Sequence, residues 1–189
     1  MDELLKRQIY LYQQKLFNIE TEDHVENVST MTVYIAGFFG FSEEELYFIK
    51  TMAVFHDIGK IKIPIEILEK KDRLTDAEWR IIKKHPMYGR DILRDFGFKN
   101  EELSLITQHH EKCDGTGYPE GLESHEISLE AKILGAVDVM DALLSDRAYK
   151  DGWEPERVRE FFEKNDEGFC PIVVEKILEE FDNLINIRK

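Results

Sequence analysis

Five of the six histidines in this chain stand beside carboxylates or where a helix should end: His24, His56, His85, His109 and His110. Asp57 follows His56 directly, and Asp138 interrupts the apolar run "ILGAVDVM". Imidazole nitrogen with carboxylate oxygen is a ligand mix that suits Fe, Mn, Zn or Ni. A carboxylate next to a histidine can bridge two ions, and water held between such ions becomes hydroxide near neutral pH. Each histidine alone has a plainer reading, as a surface group or a satisfied core residue; the set points to a metal centre. Asp138 has two readings, because a buried carboxylate needs either a metal or a basic partner across the core.

The stretch "HHEKCDGTGYPEGL", from His109 to Leu122, joins two adjacent histidines to a loop carrying Gly115, Gly117 and Gly121. A helix that delivers two ligands and a loop that follows it to help hold a substrate would account for this junction. Asp114 and Gly115 are expected to shape that loop. His125 falls beyond it and reads as a surface residue.

Nearly every segment with a clear hydrophobic period reads helical. One helix is expected over about Glu3 to Phe17 and a second from near Thr21 to Phe39. Ser42 with Glu45 forms a capping box opening a helix that runs to His56, with Gly59 ending it. Thr75 and Glu78 repeat the pattern for a helix to about Lys84. Pro86, Pro155 and Pro171 fit first turns of further helices. The Pro171 helix would bury Ile172, Val173, Ile177, Leu178 and Phe181. Asn100 is expected to cap the helix ending at His109–His110, and Ser128 to Ser145 reads as the central apolar helix. "IKIPIEIL" could form a short extended piece, although Pro64 argues against a central strand. The fold class is all-α, a single globular helical bundle. Residues 1–19 would be an N-terminal helix serving as linker or dimer element, and 20–189 the functional domain.

The chain has 189 residues and a net charge of −14. That charge disfavours long-range attraction to DNA, RNA or an anionic membrane, so neither nucleic acid nor membrane is an expected partner. Two cysteines, far apart, make neither a disulfide framework nor a CxxC zinc site. With no signal peptide and no long apolar run, the expected location is cytoplasmic.

"HDIGK" (His56 to Lys60), the upstream His24 and Asp138 resemble the HD phosphohydrolase superfamily, whose core pattern is H…HD…D. "HPMYG" (His85 to Gly89), the Gly117-Tyr118-Pro119 loop and "DVMDALLSDRAYK" (Asp138 to Lys150) are similar to its HD-GYP subfamily. The ordered set spans roughly His24 to Lys150 and, more weakly, the helices beyond.

That resemblance implies an all-helical domain that hydrolyses cyclic di-GMP to pGpG, and on to GMP if the site is roomy enough, by attack of a metal-bound hydroxide. It implies that His24, His56, Asp57 and Asp138 hold one metal, and that Asp57 bridges to a second held by His85, His109 and His110. Glu20 lies one turn before His24 and can face the same pocket. By resemblance it favours a third ion; otherwise it is one acid in a solvated run. The cofactors implied are two or three divalent ions, Fe first and Mn as the alternative. Lys60 would contact the scissile phosphate or protonate the leaving oxygen, giving it and Asp57 the catalytic roles. Arg147 and Lys150 match a basic pair implied to bind phosphate; by themselves they read as basic residues complementing a helix end. Tyr118 would stack on a guanine, donate to phosphate, or pin the loop to the core. Asp141, one turn after Asp138, would support the ligands from behind.

Two positions depart from the subfamily pattern. Asn27 stands where Arg is common, and Leu144 where Thr is usual. Alternative readings are a phosphodiesterase of another cyclic dinucleotide such as cyclic GMP-AMP, and a catalytically silent cyclic di-GMP sensor or interaction module. A diguanylate cyclase domain contacting the Gly-Tyr-Pro loop and a homodimer are the macromolecular partners implied.

Overall fold

The computed structural model describes residues 14–15, 19–146, 151–165 and 168–189. Among these the structure is helical, with no strand and one isolated bridge between Asp114 and Glu123. The all-α expectation holds. Most of the helix expected over 3–17 falls outside the described residues, and the domain boundary drawn at residue 19 is left untested by the rest. Arg147 and Lys150 also lie outside the described residues.

Local chemistry sets most of the helix starts. Helix α1, Glu22–Ala36, opens on Thr21, whose hydroxyl accepts from the His24 amide at 3.2 Å. Helix α2, Glu43–Val54, and a short α4, Asp76–Ile82, both carry complete capping boxes, from Ser42 with Glu45 and Thr75 with Glu78. Between them lie a 3-10 turn at Ile58–Lys62 and one helical turn, α3, Ile65–Leu68. The extended piece expected in "IKIPIEIL" is therefore limited to the residues around Ile63 and Pro64, because Pro64 serves as the cap of α3 instead.

Helix α5 is His85–Asp95, with Pro86 in its first turn. A 3-10 turn at Asn100–Leu103 leads into α6, Ser104–Gln108; Lys99, not Asn100, is the residue flanking that turn. Helix α7, Leu129–Leu144, is capped by the Ser128 hydroxyl. Helices α8, Pro155–Lys164, and α9, Pro171–Glu179, start at their prolines as expected. The last expected helix is broken at Glu180, and Phe181–Ile187 forms a separate α10. Ile172 is 54% exposed, contrary to expectation, while Val173, Ile177 and Phe181 are buried.

Helix α1 packs on both α2 and α7, and α5 packs on the 3-10 turn at Ile58–Lys62 and on α6. Val28, Met31 and Ile35 from α1, Ile49 and Met52 from α2, and Ile133, Leu134 and Val137 from α7 meet in one core. Each such aliphatic side chain contributes about 1.5–3 kcal/mol on burial. Helix α10 lies against α1. No helix among the described residues is long and apolar enough to cross a membrane.

A candidate metal centre

Three helix ends deliver the central histidines. Helix α2 stops at Val54, and the chain turns so that His56 and Asp57 are almost fully buried. Gly59 does not end α2; it lies in the following turn, where backbone meets backbone. A Cβ on Gly59 would sit 1.9 Å from the His85 carbonyl oxygen. Gly135 of α7 performs the same service for His109, whose carbonyl oxygen would be 2.2 Å from an added Cβ. Glycine at both places lets histidine-bearing backbones approach more closely than any side chain permits.

The ring geometry is uniform. His56 Nδ1 donates to Ala53 O at 2.7 Å, His85 Nδ1 to Ile82 O at 2.9 Å, and His109 Nδ1 to Ile106 O at 2.6 Å. His24 Nδ1 donates instead to Asp141 Oδ2 at 2.7 Å. With each Nδ1 committed as donor, the neutral form of each ring carries its lone pair on Nε2, as a metal ligand requires. These nitrogens turn inward: His56 Nε2 is 3.2 Å from Asp57 Oδ2, and His85 Nε2 is 3.0 Å from Asp57 Oδ1 and 3.4 Å from His109 Nε2. His110 stacks at 4.0 Å on the His109 ring.

Two groups of donor atoms result, one from Asp57, His85, His109 and His110 and one from His24, His56 and Asp57, each within 4.8 Å. Asp57 belongs to both. Asp138 Oδ1 stands at the edge of the second group, 3.5 Å from His24 Nε2 and 3.7 Å from His56 Nε2. Those histidines are its ion-pair neighbours among the described residues, so the basic-partner reading of Asp138 finds no support there. Glu20 is not in either group. Its Oε1 accepts from Lys60 Nζ at 2.5 Å, while Oε2 lies 4.0 Å from His24 Nε2. Lys60 also reaches Asp57 Oδ2 at 2.6 Å.

The donor set fits divalent ions. His56 Nε2 and Asp57 Oδ1 are buried without a hydrogen-bond partner, despite the nearby His85 nitrogen, whose approach lacks hydrogen-bond geometry. Orphaned buried polar atoms are costly, and an ion at each group would satisfy them. Burial, reinforced by the neighbouring imidazoles of His85 and His56, lowers the His109 pKa to about 3, and burial first also holds His110 well below the ordinary range. Both are neutral imidazoles, the ligating form. Burial opposes a charge on His56, but the Asp57 carboxylate and then Asp138 outweigh it and raise its pKa to about 9. Ion uptake at that position must therefore displace a proton.

The glycine loop is tied to the site from both sides. Tyr118 N donates to His110 O at 3.1 Å, and its ring lies 4.7 Å from that of His110. The Tyr118–Pro119 bond is cis. Asp114 Oδ1 accepts from the Thr116 amide and hydroxyl, and Gly115 has φ +77°, so these residues shape the loop as expected. The main organiser was not anticipated. Glu111, 8% exposed, accepts from the amides of Glu120, Gly121 and Leu122 at 2.7, 3.2 and 3.0 Å. His125 is exposed.

A turn-borne His-Asp pair sharing its aspartate between two imidazole clusters is the arrangement of the HD class. The HD domain family profile matches residues 7–161, and the chain belongs to that family. It is 38% identical over 172 residues to the 3'3'-cGAMP-specific phosphodiesterase 2 of Vibrio cholerae, covering 89% of this chain and 33% of that one. It is 41% identical over 137 residues to the cyclic di-GMP phosphodiesterase response regulator RpfG of Xanthomonas campestris, covering 70% and 36%. The chain thus spans about a third of the length of these relatives. The fold is also that of Bd1817, an HDG"Y"P protein from Bdellovibrio bacteriovorus, at a TM-score of 0.67 and 22% identity over 84% of this chain and 51% of that one.

Proposed function

We propose that this domain is a metal-dependent phosphodiesterase that hydrolyses a cyclic dinucleotide, cyclic di-GMP first, to pGpG, and on to GMP where the site admits the linear product. The observation that carries the reading is Asp57, whose two oxygens face different imidazole groups. In this reading His24, His56, Asp57 and Asp138 hold one ion, and Asp57, His85, His109 and His110 hold the other. Bound there, divalent ions, Fe or alternatively Mn, neutralise the phosphate oxygens and acidify water.

The residues around that pair do the remaining work. Lys60 is held charged: burial opposes the charge, but Asp57 and Glu20 raise its pKa above the usual lysine range. We assign it to the scissile phosphate and the leaving 3′-oxygen, where it donates a proton or stabilises charge. Glu20, whose Oε1 is held by Lys60, has Oε2 on the His24 side to offer a third ion. Burial, then the Asp57 and Asp138 charges, keep the Tyr118 hydroxyl protonated, so it can donate to phosphate while its ring stacks on a base. Arg147 and Lys150 are assigned to the phosphates, with Arg as a fork and Lys as a point charge. The same reading puts the domain in the cytoplasm, with a diguanylate cyclase domain docking on the Gly-Tyr-Pro loop and the domain itself forming a homodimer.

Cyclic GMP-AMP is the second substrate reading, favoured by the Vibrio relatives named for it. The test is anaerobic purification, metal analysis, and turnover of both dinucleotides side by side. Two or three ions per chain with pGpG or GMP appearing supports the proposal. Full occupancy without turnover of either would favour a silent sensor, and no metal uptake would refute the metal centre.

A further inference from the structure

Behind His24 lies a network that the ligand set does not use. Asp141 is completely buried on α7, one turn beyond Asp138. Its Oδ2 accepts from His24 Nδ1 at 2.7 Å and from Ser145 Oγ at 3.2 Å. Its Oδ1 accepts from Asn27 Nδ2 at 3.1 Å and from Arg188 Nε at 2.7 Å. Every acceptor position of the carboxylate is therefore engaged, and the group cannot turn.

Arg188 comes from a distant part of the chain. It follows α10, whose Phe181 and Leu184 are buried, and its amide donates to Leu184 O at 3.3 Å. Its Nη2 donates to Ser145 Oγ at 2.7 Å, so one guanidinium grips both the carboxylate and the hydroxyl that braces it. The next residue adds a backbone tie: Lys189 N donates to Asn27 Oδ1 at 2.9 Å. Asn27 lies one turn after His24 on α1. The end of α10 is thus fastened to the helix that carries His24 and to the carboxylate that orients it.

We propose that Arg188 is a positioning residue for His24. Acting through Asp141, it fixes the ring orientation and keeps the proton on Nδ1, so that Nε2 faces the metal side. A carboxylate held on two sides presents one lone pair to the imidazole in one direction; released on one side, it can rotate and accept from Asn27 or Ser145 instead. Partners behind a metal-binding histidine are typically worth about 10–100-fold in metal affinity. The proposal rests on the reading of His24 as a ligand.

The test uses the full chain and the variants Arg188→Ala and Arg188→Lys. On metal-free protein, nitrogen NMR of the histidines reads the His24 tautomer, with His24→Ala supplying the assignment. Anaerobic Mn2+ titration then reads the two sites. Arg188→Ala should lose the single Nδ1–H signature of His24 and weaken one Mn2+ site by about 10–100-fold, leaving the other within about twofold. Arg188→Lys, which keeps the charge but not the fork, should recover part of both effects. An unchanged tautomer with two unchanged sites overturns the proposal. Equal weakening of both sites with an unchanged tautomer also overturns it, since that is a general loss of stability. If Arg188→Ala does not fold, Arg188→Lys carries the same two readouts. Absence of Mn2+ binding by the wild type would instead refute the metal-centre reading, while the NMR result on metal-free protein would still decide the role of Arg188.

Discussion

Replacing Gly135 by alanine separates two opposed effects. In the middle of an exposed helix the change would stabilise by about 1 kcal/mol, because glycine is the poorer helix former. Here the new methyl would lie 2.2 Å from the His109 carbonyl oxygen and 3.2 Å from its carbon, both backbone atoms. Ordinary contact requires α7 and the end of α6 to separate by about 1 Å, and neither partner has a flexible side chain to move instead. Overpacking of this kind costs about 1–3 kcal/mol, and a rigid backbone contact belongs at the upper end. Net destabilisation is therefore about 2 kcal/mol, a fall in Tm of about 4–8 °C for a chain this long. The displaced atoms belong to His109, a ligand in the proposed reading, so metal affinity should fall too, and turnover by about 100-fold for a misplacement of about 1 Å. Thermal melts of metal-free protein and metal titration of the folded variant read the two parts separately. A raised Tm with unaltered metal binding would refute the close-approach argument, because propensity alone would then be operating.

Acid–base behaviour offers a second check on metal-free protein. His56, with its pKa raised to about 9, contributes stability that is complete below about 6.5 and lost as pH rises through about 9. His109, lowered to about 3, takes up its proton more readily unfolded, so stability falls as pH drops below about 6.5. The Tm should pass through a maximum near pH 6.5; a steady rise to pH 9 would contradict the His56 assignment. Glu111→Gln should cost about 1.5–3 kcal/mol by weakening the three-amide clasp, read as faster hydrogen exchange at Glu120, Gly121 and Leu122. His85→Ala should release one ion by elemental analysis while the His24 group keeps its own. Chelation should leave far-UV circular dichroism unchanged, because the imidazoles of His56, His85 and His109 are already hydrogen-bonded to the backbone.

Features governed by neighbours a few residues away were legible in the sequence. The Ser42–Glu45 and Thr75–Glu78 boxes and the prolines opening α5, α8 and α9 depend on contacts within one helical turn. The histidines and Asp57 were legible because their residue types are rare in apolar helices and recur in order. Glu111 was not, since it is one of 39 acidic residues and its partners are featureless backbone amides. Arg188 was hidden for a different reason: its carboxylate lies 47 positions away, and only tertiary packing brings them together. Gly59 carried a signal that was misread, because a helix-ending glycine and a close-approach glycine look alike until the neighbouring backbone is placed.

His56, His85 and His109 each bond a carbonyl three residues back, in the last turn of α2, α4 and α6 respectively. Those carbonyls are among the groups a helix end leaves without an internal partner. Each imidazole is therefore at once a helix stop and a member of the candidate metal centre. Adding or deleting one residue inside such a helix would swing its histidine by about 100° around the axis. Insertions and deletions should consequently be barred from α2, α4 and α6 yet tolerated in the connections before them, so that the lengths of three helices, rather than their outer faces, carry the constraint.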